Sequence, residues 1–265
     1  MFDRFERPIT YLRISVTDKC NLRCRYCMPA EGVPVRRHED FLTLEQMTAA
    51  ARAAVGLGVT KIRLTGGEPL VKRGIVDLVR MLAGIEGLAH LAMTTNGTYL
   101  GKYAHPLKEA GLDSLNVSLD TLDAARYREL TRGGEIGDVR EGIQAAIAEG
   151  FPVKLNMVVL PDMAADDIAR MREFCAGVGA RLQLINHYEL FREKQDTYAF
   201  DRPPSCASCN RIRLMADGML KPCLHSDTEV PLDFTRLEES LREAILSKPR
   251  RGGACMNRAM PQIGG

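Results

Sequence analysis

The chain has 265 residues, 45% of them hydrophobic, and sets 36 Lys and Arg against 34 Asp and Glu for a formal net charge of +2. It can bury a substantial core, which excludes a disordered or fibrous chain, and its balanced charge calls for neither a nucleic acid nor an anionic membrane as partner. No apolar run approaches the roughly 20 residues of a membrane span, and MFDRFERPITYLR interleaves charge with apolar residues, so a soluble, cytoplasmic protein without a membrane segment is expected.

From residue 11 to about 190, short β-branched runs alternate with helical patterns. The expected strands are YLRISV (11–16), KIRLT (61–65), HLAMTT (90–95), SLNVSL (114–119), VKLNMVV (153–159) and RLQLIN (181–186). Between the first two, TLEQMTAAARAAVG places Leu44, Met47, Ala51 and Val55 at helical spacing, and Thr43 with Gln46 fits a capping box. The repeated order strand, helix, strand predicts parallel pairing with right-handed crossovers. Six units are too few for a closed barrel of eight, so the expected fold is α/β, a partial (βα)6 barrel of TIM type over residues 1–190, with its site at the C-terminal ends of the strands. The unusual residue groups fall on that rim. CNLRCRYC follows the first strand, TGGEP (65–69) the second and TNG (95–97) the third, while Ser118 and Asp120 end the fourth.

After residue 190 the pattern changes. FREKQDTYAFDRPPS is polar and proline-bearing and reads as a linker or covering loop. CASCNRIRLMADGMLKPC then holds two strand-like runs around Asp217-Gly218, a two-residue hairpin signal that would set residue 212 opposite 223 and return Cys223 to Cys209. A helical stretch, FTRLEESLREAILS, and a tail ending in Gly264-Gly265 complete a C-terminal region, 191–265.

The eight cysteines cluster as Cys20, Cys24 and Cys27, then Cys206, Cys209 and Cys223, with Cys175 and Cys255 apart. In a chain without a secretion signal, such clusters point to metal ligands. Thiolate-rich sites select zinc or an iron–sulfur cluster, and either wants four ligands when protein fills it alone. The first group has no evident fourth, since His38 lies eleven residues beyond Cys27. A four-iron cluster with one open iron is the economical reading there. For the second group His225 or Cys255 could complete a zinc site. Cys175, in DIARMREFCAG, reads as a small buried hydrophobe.

C-x3-C-x2-C with Tyr26 before its last cysteine, together with GGEP after the second strand, resembles the radical S-adenosylmethionine superfamily. Within it, RISVTDKCNLRCRYCMP, IRLTGGEPL, CNRIRLMADGMLKPCL with the preceding Cys206, and the terminal IGG resemble the GTP 3′,8-cyclase family of molybdenum cofactor biosynthesis. The resemblance implies two [4Fe-4S] clusters, one on Cys20, Cys24 and Cys27 and one on Cys206, Cys209 and Cys223. The open iron of the first would chelate S-adenosylmethionine, whose reductive cleavage yields a 5′-deoxyadenosyl radical. The second would contact the guanine of GTP, displacing the zinc reading. The radical would take the ribose 3′ hydrogen, and the carbon radical would attack C8 of guanine.

By the same resemblance Tyr26, Gly66, Gly67 and Ser118 would contact S-adenosylmethionine and Glu68 would accept from its amino group. Glycine fits such a place because backbone can approach a ligand closely there. Arg13, Arg63, Thr94 and Lys154 would hold the triphosphate, with Arg211 and Arg213, on one hairpin face, holding the substrate beside the second cluster. A reductant of flavodoxin or ferredoxin type is implied, and a homodimer is compatible. Two features depart from the family: only about twenty residues bridge the sixth strand and Cys206, and that strand runs on into INHYEL. They leave open an enzyme of the same kind acting on another nucleotide or a modified purine, and a non-enzymatic iron–sulfur or zinc protein.

Overall fold

Six parallel strands pair in chain order: β1 (Tyr11–Ser15), β2 (Lys61–Thr65), β3 (His90–Thr95), β4 (Ser114–Ser118), β5 (Val153–Val159) and β6 (Arg181–Asn186). The computed structural model describes the whole chain apart from residues 35, 165, 196, 201, 202 and 265 and the side chain of residue 38. Between the strands run α1 (Leu44–Gly56), α2 (Ile75–Ala83), α3 (Leu100–Glu109), the pair α4 (Ala124–Thr131) and α5 (Ile136–Ala148), and α6 (Asp167–Val178). The expected strands are all present, β1 and β4 ending one residue early. Thr43 and Gln46 form the reciprocal cap, Gln46 N–H donating to Thr43 Oγ1 at 3.2 Å and Thr43 N–H to Gln46 Oε1 at 2.9 Å.

Period-two alternation gives each strand two characters. Leu12, Ile14, Ile62, Leu64, Leu91, Met93, Leu115, Val117, Leu155 and Met157 are buried in one core cluster with Met47, Leu78, Leu107, Val139 and Ile143 of the helices. The intervening residues Arg13, Arg63, Thr94, Asn116, Lys154 and Asn156 line a cavity on the other face. A parallel sheet is ordinarily apolar on both faces. Polar residues on the inner one mark a barrel built to hold something.

The sheet does not end at β1. A seventh strand, β7 (Arg211–Leu214), pairs with β1 in parallel, and β8 (Met219–Lys221) and β9 (Val230–Pro231) follow antiparallel. β6 is therefore one edge of a nine-stranded open sheet, and residues 187–210 run from that edge round to β7. The β7–β8 register corrects the sequence expectation. Arg213 faces Lys221 and Leu214 faces Leu220, so the pairing is shifted by one from 212 opposite 223. Met215 N–H donates to Met219 O at 2.8 Å, leaving a three-residue loop with Gly218 at φ +84°, the left-handed place such a loop needs. Beyond come α7 (Leu237–Leu246), which packs on α1, and a final turn of helix, α8 (Met260–Ile263). No helix among the described residues is long and apolar enough to cross a membrane.

Helices α3 and α5 approach closely because Gly142 presents no side chain. A Cβ there would meet Gly97 O and come within 2.8 Å of Leu100 Cβ. Gly142→Ala gains helix propensity of about 1 kcal/mol, but overpacking of this kind costs about 1–3 kcal/mol. The expected net result is a lower urea midpoint with unchanged m-value in equilibrium denaturation.

Candidate active site

The loop after β1 carries the first cysteine group. Cys27 and Met28 N–H both donate to Cys24 O, closing a tight turn, and Arg23 and Arg25 N–H dock the loop on Thr131 O and Leu130 O of α4. All three thiols are free and line one cavity of about 200 Å³, with Tyr26, Gly66, Gly67, Thr94, Thr95, Asn96, Ser118, Asn156, Tyr188 and Gly264. Burial, then neighbouring thiols and acids, pushes Cys24 well up and Cys27 to about 12. Burial also raises Cys20, whose sulfur accepts from Leu22 N–H at 3.4 Å. Three half-buried thiols with raised pKa values become thiolates only around a positive centre. Among the described residues no three Cys, His, Asp or Glu side chains converge as a single metal ion requires, whereas a cluster several atoms across takes ligands set apart around it. The donor set fits a four-iron cluster, which Cys20, Cys24 and Cys27 would hold.

The GGEP turn packs against this loop. Gly67 N–H donates to Thr17 O at 2.7 Å and Glu68 N–H to Lys19 O at 2.9 Å. A Cβ on Gly66 or Gly67 would collide with the Thr17 or Lys19 backbone, so both glycines are required by protein–protein approach as well as facing the cavity. Glu68, expected to accept from a ligand's amino group, is met by three donors of the protein itself. It is 1% exposed, and its Oε1 accepts from Leu70 N–H at 2.9 Å and Thr95 Oγ1 at 2.7 Å while Oε2 accepts from Asn96 N–H at 2.6 Å. Its carboxylate, raised to about 7 by burial, ties GGEP to the TNG loop. Tyr26 donates its hydroxyl to Asp120 Oδ2 at 2.6 Å and lines the cavity. Burial lifts Asp120 to about 6. Ser118 lines the cavity beside Asn156.

A second cavity of about 180 Å³ adjoins the first and shares Arg13, Thr94, Asn156, Ile185 and Tyr188 with it. It brings together the residues expected to meet a triphosphate, Arg13, Arg63, Thr94 and Lys154, with Arg211 and Arg213, expected on the substrate beside the second cysteine group, and adds Lys61 and Tyr11. No carboxylate stands among the described lining residues. Register explains the gathering, since Arg63, Arg13 and Arg213 are direct neighbours across β2, β1 and β7. Arg63 donates to Tyr11 Oη at 2.6 Å, Met93 O at 3.1 Å and Thr94 Oγ1 at 3.3 Å; Arg13 donates to Gly264 O at 2.8 Å. The Nε atoms of Arg211 and Arg213 are buried without a partner among the described residues. Burial, then neighbouring guanidinium groups, brings Arg13 down to about 9. Burial would raise Tyr11, but Arg13, Arg63 and Arg211 together lower it to about 8. The cavity selects a multiply charged anion.

Cys206 and Cys209 precede β7 and Cys223 follows β8, so the hairpin brings the second group together as expected, despite the shifted register. Each sulfur meets a backbone donor: Cys206 from Gly252 N–H at 3.4 Å, Cys209 from Arg211 and Cys223 from His225. A Cβ on Gly252 would stand 3.2 Å from Cys223 Sγ, so the sulfurs sit in a cradle that only glycine leaves open. This set also fits a cluster. Cys255 instead donates to Asn257 Oδ1 at 3.4 Å and packs with Leu190, Met215 and Leu224. His225 is buried with both ring nitrogens unpartnered among the described residues, its ring 5.3 Å from that of Tyr188. Cys175 lies in the main core, as read from its helix. Sequence reasoning missed Tyr188, Asn116, Asn156 and Lys61. The last three were detectable as polar residues at alternate positions of buried parallel strands; Tyr188, in a loop, gave no signal.

A family model described as the radical SAM superfamily matches residues 14–175. The chain is 40% identical to the GTP 3′,8-cyclase of Alkaliphilus oremlandii over 320 aligned positions covering all of both chains, and 42% identical to that of Moorella thermoacetica over 323, again covering all of both. These alignments are longer than 265 residues, so the relatives carry residues this chain lacks. Among solved structures, SuiB of Streptococcus suis bound to S-adenosylmethionine superposes with a TM-score of 0.70 at 16% identity, over 92% of this chain and 64% of that one. The anSMEcpe enzyme with bound AdoMet gives 0.65 at 15% identity, over 92% and 81%. The thiol pocket on the barrel rim and this full-length similarity lead to one conclusion: the chain belongs to the radical S-adenosylmethionine superfamily, and within it to the GTP 3′,8-cyclase family.

Proposed function

We propose that the chain is a GTP 3′,8-cyclase, converting GTP to (8S)-3′,8-cyclo-7,8-dihydroguanosine 5′-triphosphate in molybdenum cofactor biosynthesis. The observation that carries this reading is the shared wall between the three-thiol cavity and the cation-lined cavity. A nucleoside triphosphate whose phosphates lie among Arg13, Arg63, Lys154, Arg211 and Arg213 has its sugar directed toward the cysteine loop. Two [4Fe-4S] clusters belong to the activity; Cys20, Cys24 and Cys27 would hold the first, which would supply the electron for cleavage of S-adenosylmethionine, and Cys206, Cys209 and Cys223 would hold the second.

The chain's own contribution is placement. Thr94 and Asn156 border both cavities and would orient the ribose between them. Gly66, Gly67, Ser118 and the Tyr26 ring would bind S-adenosylmethionine, while Glu68 and Asp120 hold the loops and the tyrosine in position. The arginines hold substrate and exchange no proton with it. Seating a polyanion on the Arg63–Arg13–Arg213 row also relieves the repulsion within it, so binding and stability are coupled. A cytoplasmic location, an acidic one-electron carrier of flavodoxin or ferredoxin type as reductant, and a homodimeric state complete the proposal.

The direct test reconstitutes the protein without oxygen and measures 5′-deoxyadenosine formation with reductant and S-adenosylmethionine, with and without GTP deuterated at C3′. Deuterium in the 5′-deoxyadenosine together with a cyclised nucleotide is expected. Cleavage indifferent to GTP, or stimulated by another purine nucleotide alone, would overturn GTP as substrate. Arg213→Ala should weaken GTP binding about 10- to 100-fold, the loss of charge-assisted hydrogen bonds, in equilibrium dialysis, while slow cleavage without GTP persists. Cys209→Ser should lower iron content and abolish the cyclised product yet leave that uncoupled cleavage, whereas Cys24→Ser abolishes both.

A further inference from the structure

Lys248, just beyond α7, is a buried cation that the site described above does not use. It is 2% exposed, and its Nζ donates to Arg211 O and Pro222 O, both at 2.8 Å. Those carbonyls flank the second cysteine group, Arg211 standing two residues after Cys209 and Pro222 immediately before Cys223. An ammonium has three donors, and these two carbonyls take two of them, on the side of the residue that faces the second cysteine group. Among the described residues Lys248 forms no ion pair with a carboxylate.

A cation so deeply buried costs several kcal/mol unless an opposite charge and hydrogen bonds offset it. The groups placed to do so are the thiolates of the second cysteine group, since both carbonyls that hold the ammonium belong to residues flanking Cys209 and Cys223. Hydrogen bonds and nearby charge are what tune a cluster of given type.

We propose that Lys248 is a positioning residue of the second cluster: held by the Arg211 and Pro222 carbonyls beside Cys209 and Cys223, its ammonium offsets the negative charge of the thiolates and makes that cluster easier to reduce. The inference rests on the second cysteine group holding an iron–sulfur cluster.

The test uses the reconstituted full chain grown with ¹⁵N-lysine. Pulsed EPR of the reduced second cluster should show a ¹⁵N coupling that disappears in Lys248→Gln, a variant that keeps donors for the two carbonyls but carries no charge. A redox titration of that variant should find the second cluster's midpoint at least 59 mV lower, a tenfold change for a one-electron couple, and the first cluster's midpoint unchanged. No lysine coupling in the unsubstituted protein, or an unmoved second midpoint in the variant, would overturn the proposal. Should the variant lose the second cluster, the labelled unsubstituted protein decides alone. An iron content of about four per chain rather than about eight would overturn the two-cluster reading itself, and this inference with it.

Discussion

Three guanidinium groups abreast, Arg63, Arg13 and Arg213, are the constraint around which the molecule is arranged. Neighbouring strands lie about 4.8 Å apart, and like charges directly opposite one another destabilise a sheet. Burial strengthens that repulsion. The row is sustained because the other face of the same strands carries Leu12, Ile14, Ile62, Leu64, Ile212 and Leu214, all buried in one core. Stability therefore comes from one face and binding from the other. A slip of a single residue would exchange the two, so hydrophobic burial fixes the register that also aligns the cations.

The same strand carries the second metal site into register. Cys209 stands at the entrance to β7, Arg211 and Arg213 follow on it, and Cys223 returns after β8. Parallel pairing with β1 makes this hairpin a continuation of the barrel, so the distance between the two cysteine groups is set by the sheet and not by a hinge. Sites mounted on strands hold geometry better than sites mounted on loops. A reaction that leaves a carbon-centred radical among side chains needs that fixity more than it needs acid–base groups.

Much of this was legible in the sequence. Strand–helix alternation gave the six-unit barrel, and C-x3-C-x2-C and GGEP carried the resemblance that implied the chemistry, because both depend on residues near in sequence. The turn at Asp217-Gly218 was visible, but its length was not: the choice between two and three loop residues is settled by Met215 pairing with Met219, with Leu42 N–H taking up Ala216 O from across the fold. Glu68 looked like a ligand contact because its partners, Thr95 and Asn96, lie far away in sequence. Tyr188 and Lys248 were unreadable for the same reason. Tyr188 acquires its neighbour His225 only when the chain beyond β6 meets the chain beyond β8, and Lys248 its carbonyls only once the β7–β8 hairpin is formed.

The connection from β6 to β7 contributes Tyr188, Pro203 and Pro204 to the cation-lined cavity. The segment behaves as a hoop across the gap in a stave barrel. The entropy of closing such a hoop grows only logarithmically, about 0.6 kcal/mol for each doubling of its length. Its length can therefore drift between members of a lineage at almost no thermodynamic cost, while the gap it spans stays fixed by the staves. The wall of the substrate chamber is thus the part of the molecule freest to change shape, and the part where a new specificity would arise without disturbing either set of cysteines.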